Sequence, residues 1–226
     1  MRSLGLILLL VTAFPLHASD DVDPWQPMNR KITGFNNFVD RWVMKPLATG
    51  YTKLPGVVRA TVTNVFSNAE TPAIALNQFL QGKPKEGFHD AGRFLLNTTI
   101  GLAGLFDVAS ASGMEKHEED FAQTFARWGI KSGPYFVIPL RGPSTVRHAT
   151  GMVLDALTNP IGLINDVPVR NVTYGLFYVN LRASVLGAES LLTGDEYLFL
   201  RDAYFQRREY LISDGELDVD QFLDDF

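Results

Sequence analysis

His89, His117 and His148, together with Arg201 and Arg208, are the side chains of this sequence best suited by type to do chemistry. A metal site asks for imidazoles, thiolates or carboxylates gathered at one point. Here the histidines stand far apart, no cysteine can join them, and no His-Glu-x-x-His run occurs. EKHEEDF, around His117, reads as a charged, solvated turn rather than a ligand set. Serine nucleophiles lack a Gly-x-Ser-x-Gly elbow, and GLAGLFD lacks the lysine and the spacing of a phosphate loop. The sequence therefore predicts no catalytic residue, no metal and no cofactor. Arg201 and Arg208 fall inside a wide apolar arc when DEYLFLRDAYFQRREYLI is drawn as a helix. Guanidiniums so placed either pair with acids or snorkel, or else hold a phosphate or a partner group in bidentate fashion.

A second feature is GPYFVIPLRGPS, apolar in its middle and bracketed by glycine and proline. Prolines at 134, 139 and 143 forbid a helix, and the residues between them favour extended backbone. Two readings follow. The segment is an extended piece tucked into the core, or it is a movable apolar flap with Gly133 and Gly142 as hinges. Buried irregular backbone must find hydrogen-bond partners, and the prolines remove donors.

The elements that position these residues are mostly helices. One is expected from about Asn29 to Met44, ended by Pro46. A second covers GVVRATVTNVFSN, and Thr71-Pro72 is expected to cap and start a new helix, AIALNQFLQ, which Gly82 stops. PKEGFHDAGRFLLN repeats that pattern, with Phe88, Ala91 and Leu95 at helical spacing. LRASVLGAESLL carries a stripe of Leu181, Val185, Ala188 and Leu192, and a last helix follows. The reading is mainly α, with one short hairpin-like loop. After residue 18 the longest uncharged run is Phe94 to Phe106, too short for a membrane span, which needs about 20 apolar residues.

Residues 1–18 read as a secretory signal peptide cleaved after Ala18, with Arg2 ahead of the apolar LGLILLLVTAF. Residues 19–213 form the folded domain, and residues 214–226 are an acidic tail with six carboxylates and no base. Setting aside Arg2 and that tail, 19 basic and 19 acidic groups remain, so the body is formally neutral. A nucleic-acid binder would be basic; a neutral body with much of the chain's 16 Phe can approach lipid without long-range repulsion.

DPWQPMNRKITGFNNFVDRWVMKPL, NVFSNAETPAIALNQFLQGKP, GRFLLNTTIGLAGLFDVAS, FAQTFARWGIKSGPYFVIPLRGPSTVRHATG and LRDAYFQRREYL, in this order, resemble the MlaA (VacJ) family over nearly the whole chain. The resemblance implies a ring-shaped helical domain in the periplasmic leaflet of the Gram-negative outer membrane. It implies no enzyme, but a channel through which misplaced outer-leaflet phospholipid passes towards a periplasmic lipid-carrier protein, in association with trimeric porins. By the same analogy the loop gates that channel. Gly133, Pro134, Tyr135, Phe136, Val137, Ile138, Pro139, Leu140 and Gly142 then lie on or near the lipid path, and Arg201 and Arg208 are candidate phosphate or partner contacts. Many members are lipoproteins, whereas Ala18-Ser19 here leaves no cysteine to acylate. The competing reading is a non-transporting scaffold bound to porins.

Overall fold

The structure is a computed structural model that describes residues 22–191 and 194–215. The expected signal peptide lies outside the described residues, as does the acidic tail apart from Asp214 and Gly215. Asp214 is not free: it pairs with Lys83 and lies 3.8 Å from Arg127.

The chain runs through α1 (Gln26–Val39), a π-helical turn (Asp40–Met44), α2 (Lys45–Tyr51), α3 (Gly56–Leu80) and α4 (Pro84–Thr99). Short helices α5 (Val108–Ala111) and α6 (Phe121–Arg127) lead to strands β1 (Tyr135–Ile138) and β2 (Gly142–Thr145). Helix α7 (Val146–Thr158), a 3-10 turn (Pro160–Leu163), α8 (Val167–Val185), a second 3-10 turn (Leu186–Leu191) and α9 (Glu196–Ile212) complete it. The fold is mainly α with one antiparallel hairpin, as the sequence predicts.

Three boundaries differ from expectation. Pro46 does not end the first helix. Ahead of it the backbone widens into the π turn, where Lys45 N–H reaches back five residues to Asp40 O, and the chain continues as α2 with Pro46 in its first turn. Thr71-Pro72 starts no new helix either: α3 runs through Pro72. Thr71 Oγ1 instead donates to Ser67 O at 2.9 Å, the back-bonding that lets threonine sit within a helix. The stripe expected from Leu181 to Leu192 breaks where α8 passes into the 3-10 turn at Leu186. Leu181 and Val185 face outward, and Leu192 lies outside the described residues.

Helices α3 and α4 are the most closely associated pair, and α6 lies along α7, where Gly151 sits so near that a Cβ would come within 2.5 Å of Ala122 N. Every helix from α6 to α9 that starts from an aspartate or threonine cap does so with a side-chain oxygen accepting a backbone N–H: Asp120, Thr145, Asp166 and Asp195.

Candidate functional site

Water-soluble chains put large apolar side chains inside. Among the described residues this chain does the reverse: 36 large hydrophobic residues are exposed, while only 12 hydrophobic residues are buried beside 13 polar or charged ones. Helix α8 has no buried residue at all, and Val169, Val172, Leu176 and Leu181 all lie open. Phe38 and Trp42 are 62% and 68% exposed around the π turn, and Phe88 and Leu95 show that the apolar stripe of α4 points outward. The buried side of α4 holds Asp90, Arg93 and Asn97. Contacts between helices are correspondingly polar. Thr124 donates to Asn77 Oδ1 at 2.7 Å, Asn68 to Thr98 Oγ1 at 3.0 Å, and Asn97 both donates to Asp107 at 2.9 Å and accepts from Ala109 N–H at 2.8 Å. Such an exterior suits acyl chains, where apolar contact no longer drives helices together and hydrogen bonds take over that task. No described helix is long and apolar enough to cross a membrane.

The hairpin is held by α1. β1 pairs with β2 in the register Tyr135–Thr145 to Ile138–Gly142, which leaves its other edge with unpaired groups. Asn29 and Asn36, two turns apart on one face of α1, fill that edge. Asn29 accepts Val137 N–H at 2.9 Å and its amide lies 3.4 Å from Tyr135 O, while Asn36 accepts Leu140 N–H at 2.7 Å and donates to Ile138 O at 3.1 Å. Asn29 also donates to Asp23 Oδ1 at 2.8 Å, and the Tyr197 hydroxyl of α9 donates to the other oxygen of Asp23. Burial, then the nearby Asp23 charge, pushes the Tyr135 and Tyr197 phenols up.

Alternation along β1 divides the predicted loop residues. Tyr135 and Val137 are buried in a cluster with Tyr197, Tyr204 and Phe205. Phe136 and Ile138 are half-buried on the opposite face, and Phe136 meets the edge of Trp25. At the tip, Pro139 is exposed and Leu140 is 67% exposed with a left-handed φ of 64°. Pro134 is half-buried at the start, its carbonyl accepting Val146 N–H. Gly133 and Gly142 both have positive φ, 70° and 98°; beside Gly133 a Cβ would come within 3.0 Å of Val146, whereas Gly142 has open space. The hairpin is thus rooted in the core through Tyr135 and Val137, while at its tip Pro139 and Leu140 expose their side chains, with Leu140 N–H still held by Asn36.

Arg201 and Arg208 are carboxylate-paired. Arg208 grips Asp120 with both nitrogens, at 2.6 and 3.1 Å, and that pairing holds the half-buried Asp120 below its ordinary range against the cost of desolvation. Arg201 bonds Asp202 at 2.9 Å and lies 3.7 Å from Asp23. Their position in the apolar arc is thus answered by acids from outside it.

A cavity of about 740 Å³ opens between the end of α1, the π turn and α8. Phe38 and Trp42 give it an apolar side; Asp40, Lys45, Arg182 and Glu189 give it a charged one. Arg182 holds Asp40 bidentately at 2.6 and 2.9 Å and also reaches Glu189, which Lys45 meets at 2.6 Å. These charges were not singled out from sequence. Their signal was weak: the pairs are separated by 142 and 144 residues, and π turns, which are enriched at functional sites, leave no pattern in composition.

The histidines are not all apart. His148 stands alone, bonded to the Tyr204 hydroxyl at 3.0 Å. His89 of α4 and His117, in the segment before α6, converge on Asp90, so His117 is packed against a helix while its neighbours Glu115, Lys116 and Glu118 stay exposed as expected.

A family model described as MlaA lipoprotein matches residues 21–211. A protein of Haemophilus influenzae named "Intermembrane phospholipid transport system lipoprotein MlaA" is 32% identical over 206 residues, 88% of this chain and 82% of that protein. The Escherichia coli K12 protein of the same name is 32% identical over 202 residues, 86% and 80% of the two chains. A solved structure described as "Structural basis for maintenance of bacterial outer membrane lipid asymmetry" aligns with a TM-score of 0.76 at 31% identity, covering 84% of this chain and 98% of that one.

Proposed function

Because this chain belongs to the MlaA family, a family of intermembrane phospholipid transport lipoproteins tied to outer-membrane lipid asymmetry, we propose that it moves misplaced phospholipid out of the outer leaflet without breaking a bond. In this reading it sits in the periplasmic leaflet of the outer membrane, beside trimeric porins, and hands lipid to a periplasmic carrier protein. The carrying observation is the inverted arrangement of polarity, with apolar side chains outside and hydrogen-bonded polar ones between the helices. That exterior also offers a means of attachment for a sequence with no cysteine to acylate. The cavity beside the π turn fits an amphipathic passenger, its ionic wall suited to a head group and Phe38 and Trp42 to a tail. The loop tip, Pro139 to Gly142, is the gate, Phe136 and Ile138 border the path, and Tyr135 and Val137 anchor the gate rather than meet lipid.

Gly142→Val tests this. The substituted residue finds room but not a comfortable φ, so the observed tip conformation is disfavoured while Tyr135 and Val137 keep the root in the core. In cells relying on this protein, transport through a gate predicts raised surface phospholipid and detergent sensitivity at unchanged protein level. Unchanged surface lipid at normal abundance would favour a porin-bound scaffold instead.

A further inference from the structure

We infer that His89, Asp90 and His117 form a site for a borderline divalent cation, Zn²⁺ being the best fit, that ties α4 to the segment leading into α6. Asp90 is 1% exposed, and its side-chain partners among the described residues are two imidazoles, with no lysine or arginine. His117 Nδ1 stands 3.0 Å from each Asp90 oxygen. His89 Nδ1 stands 3.6 Å from Asp90 Oδ1 and is itself buried with no hydrogen-bond partner. All three donor atoms fall within 4.8 Å of one another.

Two arguments turn this cluster into a cation site. The first is electrostatic. A buried carboxylate needs its charge compensated, and a divalent ion held between it and the two imidazoles would do so. The second is geometric. A tetrahedral ion about 2.0 to 2.1 Å from its ligands sets ligand atoms about 3.3 Å apart, between the two separations seen around Asp90. Two imidazoles and one carboxylate are a donor set that suits Zn²⁺ better than Mg²⁺ or Ca²⁺. The three side chains supply three ligands, and a water molecule would supply the fourth. The site is unconnected to the loop or the large cavity, so it stands apart from the lipid reading. Its mechanical effect is local: His117 lies three residues before Asp120, the cap of α6 and the partner of Arg208 on α9.

The test uses the untagged, chelator-treated full chain in detergent, titrated with Zn²⁺ alone by calorimetry, and with Co²⁺ read by visible absorption. One zinc per chain, a raised Tm on binding and a tetrahedral cobalt spectrum are expected. His89→Gln and His117→Gln, on partly exposed rings, should each weaken binding by more than the roughly 10–100-fold that loss of an outer-shell partner costs. His148→Gln should leave binding unchanged. Absence of saturable zinc binding by the folded wild-type chain overturns the inference, as does binding that survives either of the first two substitutions. Should a variant misfold, the wild-type cobalt spectrum decides, since a six-coordinate spectrum contradicts the site.

Discussion

Replacing Asn29 with alanine should loosen the hairpin at its root and cost more than almost any other single polar change. Asn29 is wholly buried. Its loss orphans Val137 N–H, worth about 1–3 kcal/mol for a buried unpaired donor, and removes a bond to the Asp23 carboxylate, worth about 1.5–3 kcal/mol. Together these predict a loss of about 3–5 kcal/mol. For a chain of this size, at 2–4 °C per kcal/mol, Tm falls by roughly 6–20 °C. Asn36 makes the matching pair of bonds nearer the exposed tip, where water can replace it, so Asn36→Ala should cost only about 1 kcal/mol. Thermal unfolding followed by circular dichroism in detergent measures both. The reasoning fails if Asn29→Ala loses less than about 1 kcal/mol, or if the two variants lose the same amount.

Arg208→Met should destabilise by about 2–4 kcal/mol because it strands Asp120, while the double variant with Asp120→Asn should recover part of that loss in the same melts. The pH dependence of stability should expose a cancelling pair. Burial pushes Asp155 up to about 6 and His148 down to about 4. The Asp155 contribution is complete below pH 3.8 and disappears as pH rises through about 6, whereas the His148 contribution is complete above pH 6.5 and disappears as pH falls through about 4. In Asp155→Asn the histidine acts alone, so Tm should drop more steeply than wild type on acidification from pH 6.5 to 4. His148→Gln should show the opposite tilt, gaining stability relative to wild type as pH falls across that window. Parallel curves for all three proteins would contradict the assignment.

Helices α4 and α9 and the hairpin were legible because their signals are local: Pro84 in a first turn, Asp195 as a cap, prolines and glycines around GPYFVIPLRGPS. Pro72 misled because proline forbids only one hydrogen bond and one close approach, and a long, well-packed helix can absorb both. The apolar stripe of α4 lies on one helix as expected, whereas that of α8 is cut short at Leu186, and periodicity does not say which side faces the interior. Phe88 and Leu95 point out, and Asp90, Arg93 and Asn97 point in. Asn29 and Asn36 were not singled out from sequence, because nothing local says that their partner is a strand edge more than 100 residues away. His89 and His117 meet only because α4 and the segment before α6 are folded together, a relation that spacing in the sequence does not encode.

The central claim is that the open apolar surface touches acyl chains, and Trp42, 68% exposed beside the large cavity, reports on it directly. With Trp25 and Trp128 replaced by phenylalanine, its fluorescence is measured in vesicles of lipids brominated along the tail and, separately, with aqueous iodide. The account predicts strong quenching by the brominated tails and protection from iodide. Free quenching by iodide with no response to brominated lipid would contradict it.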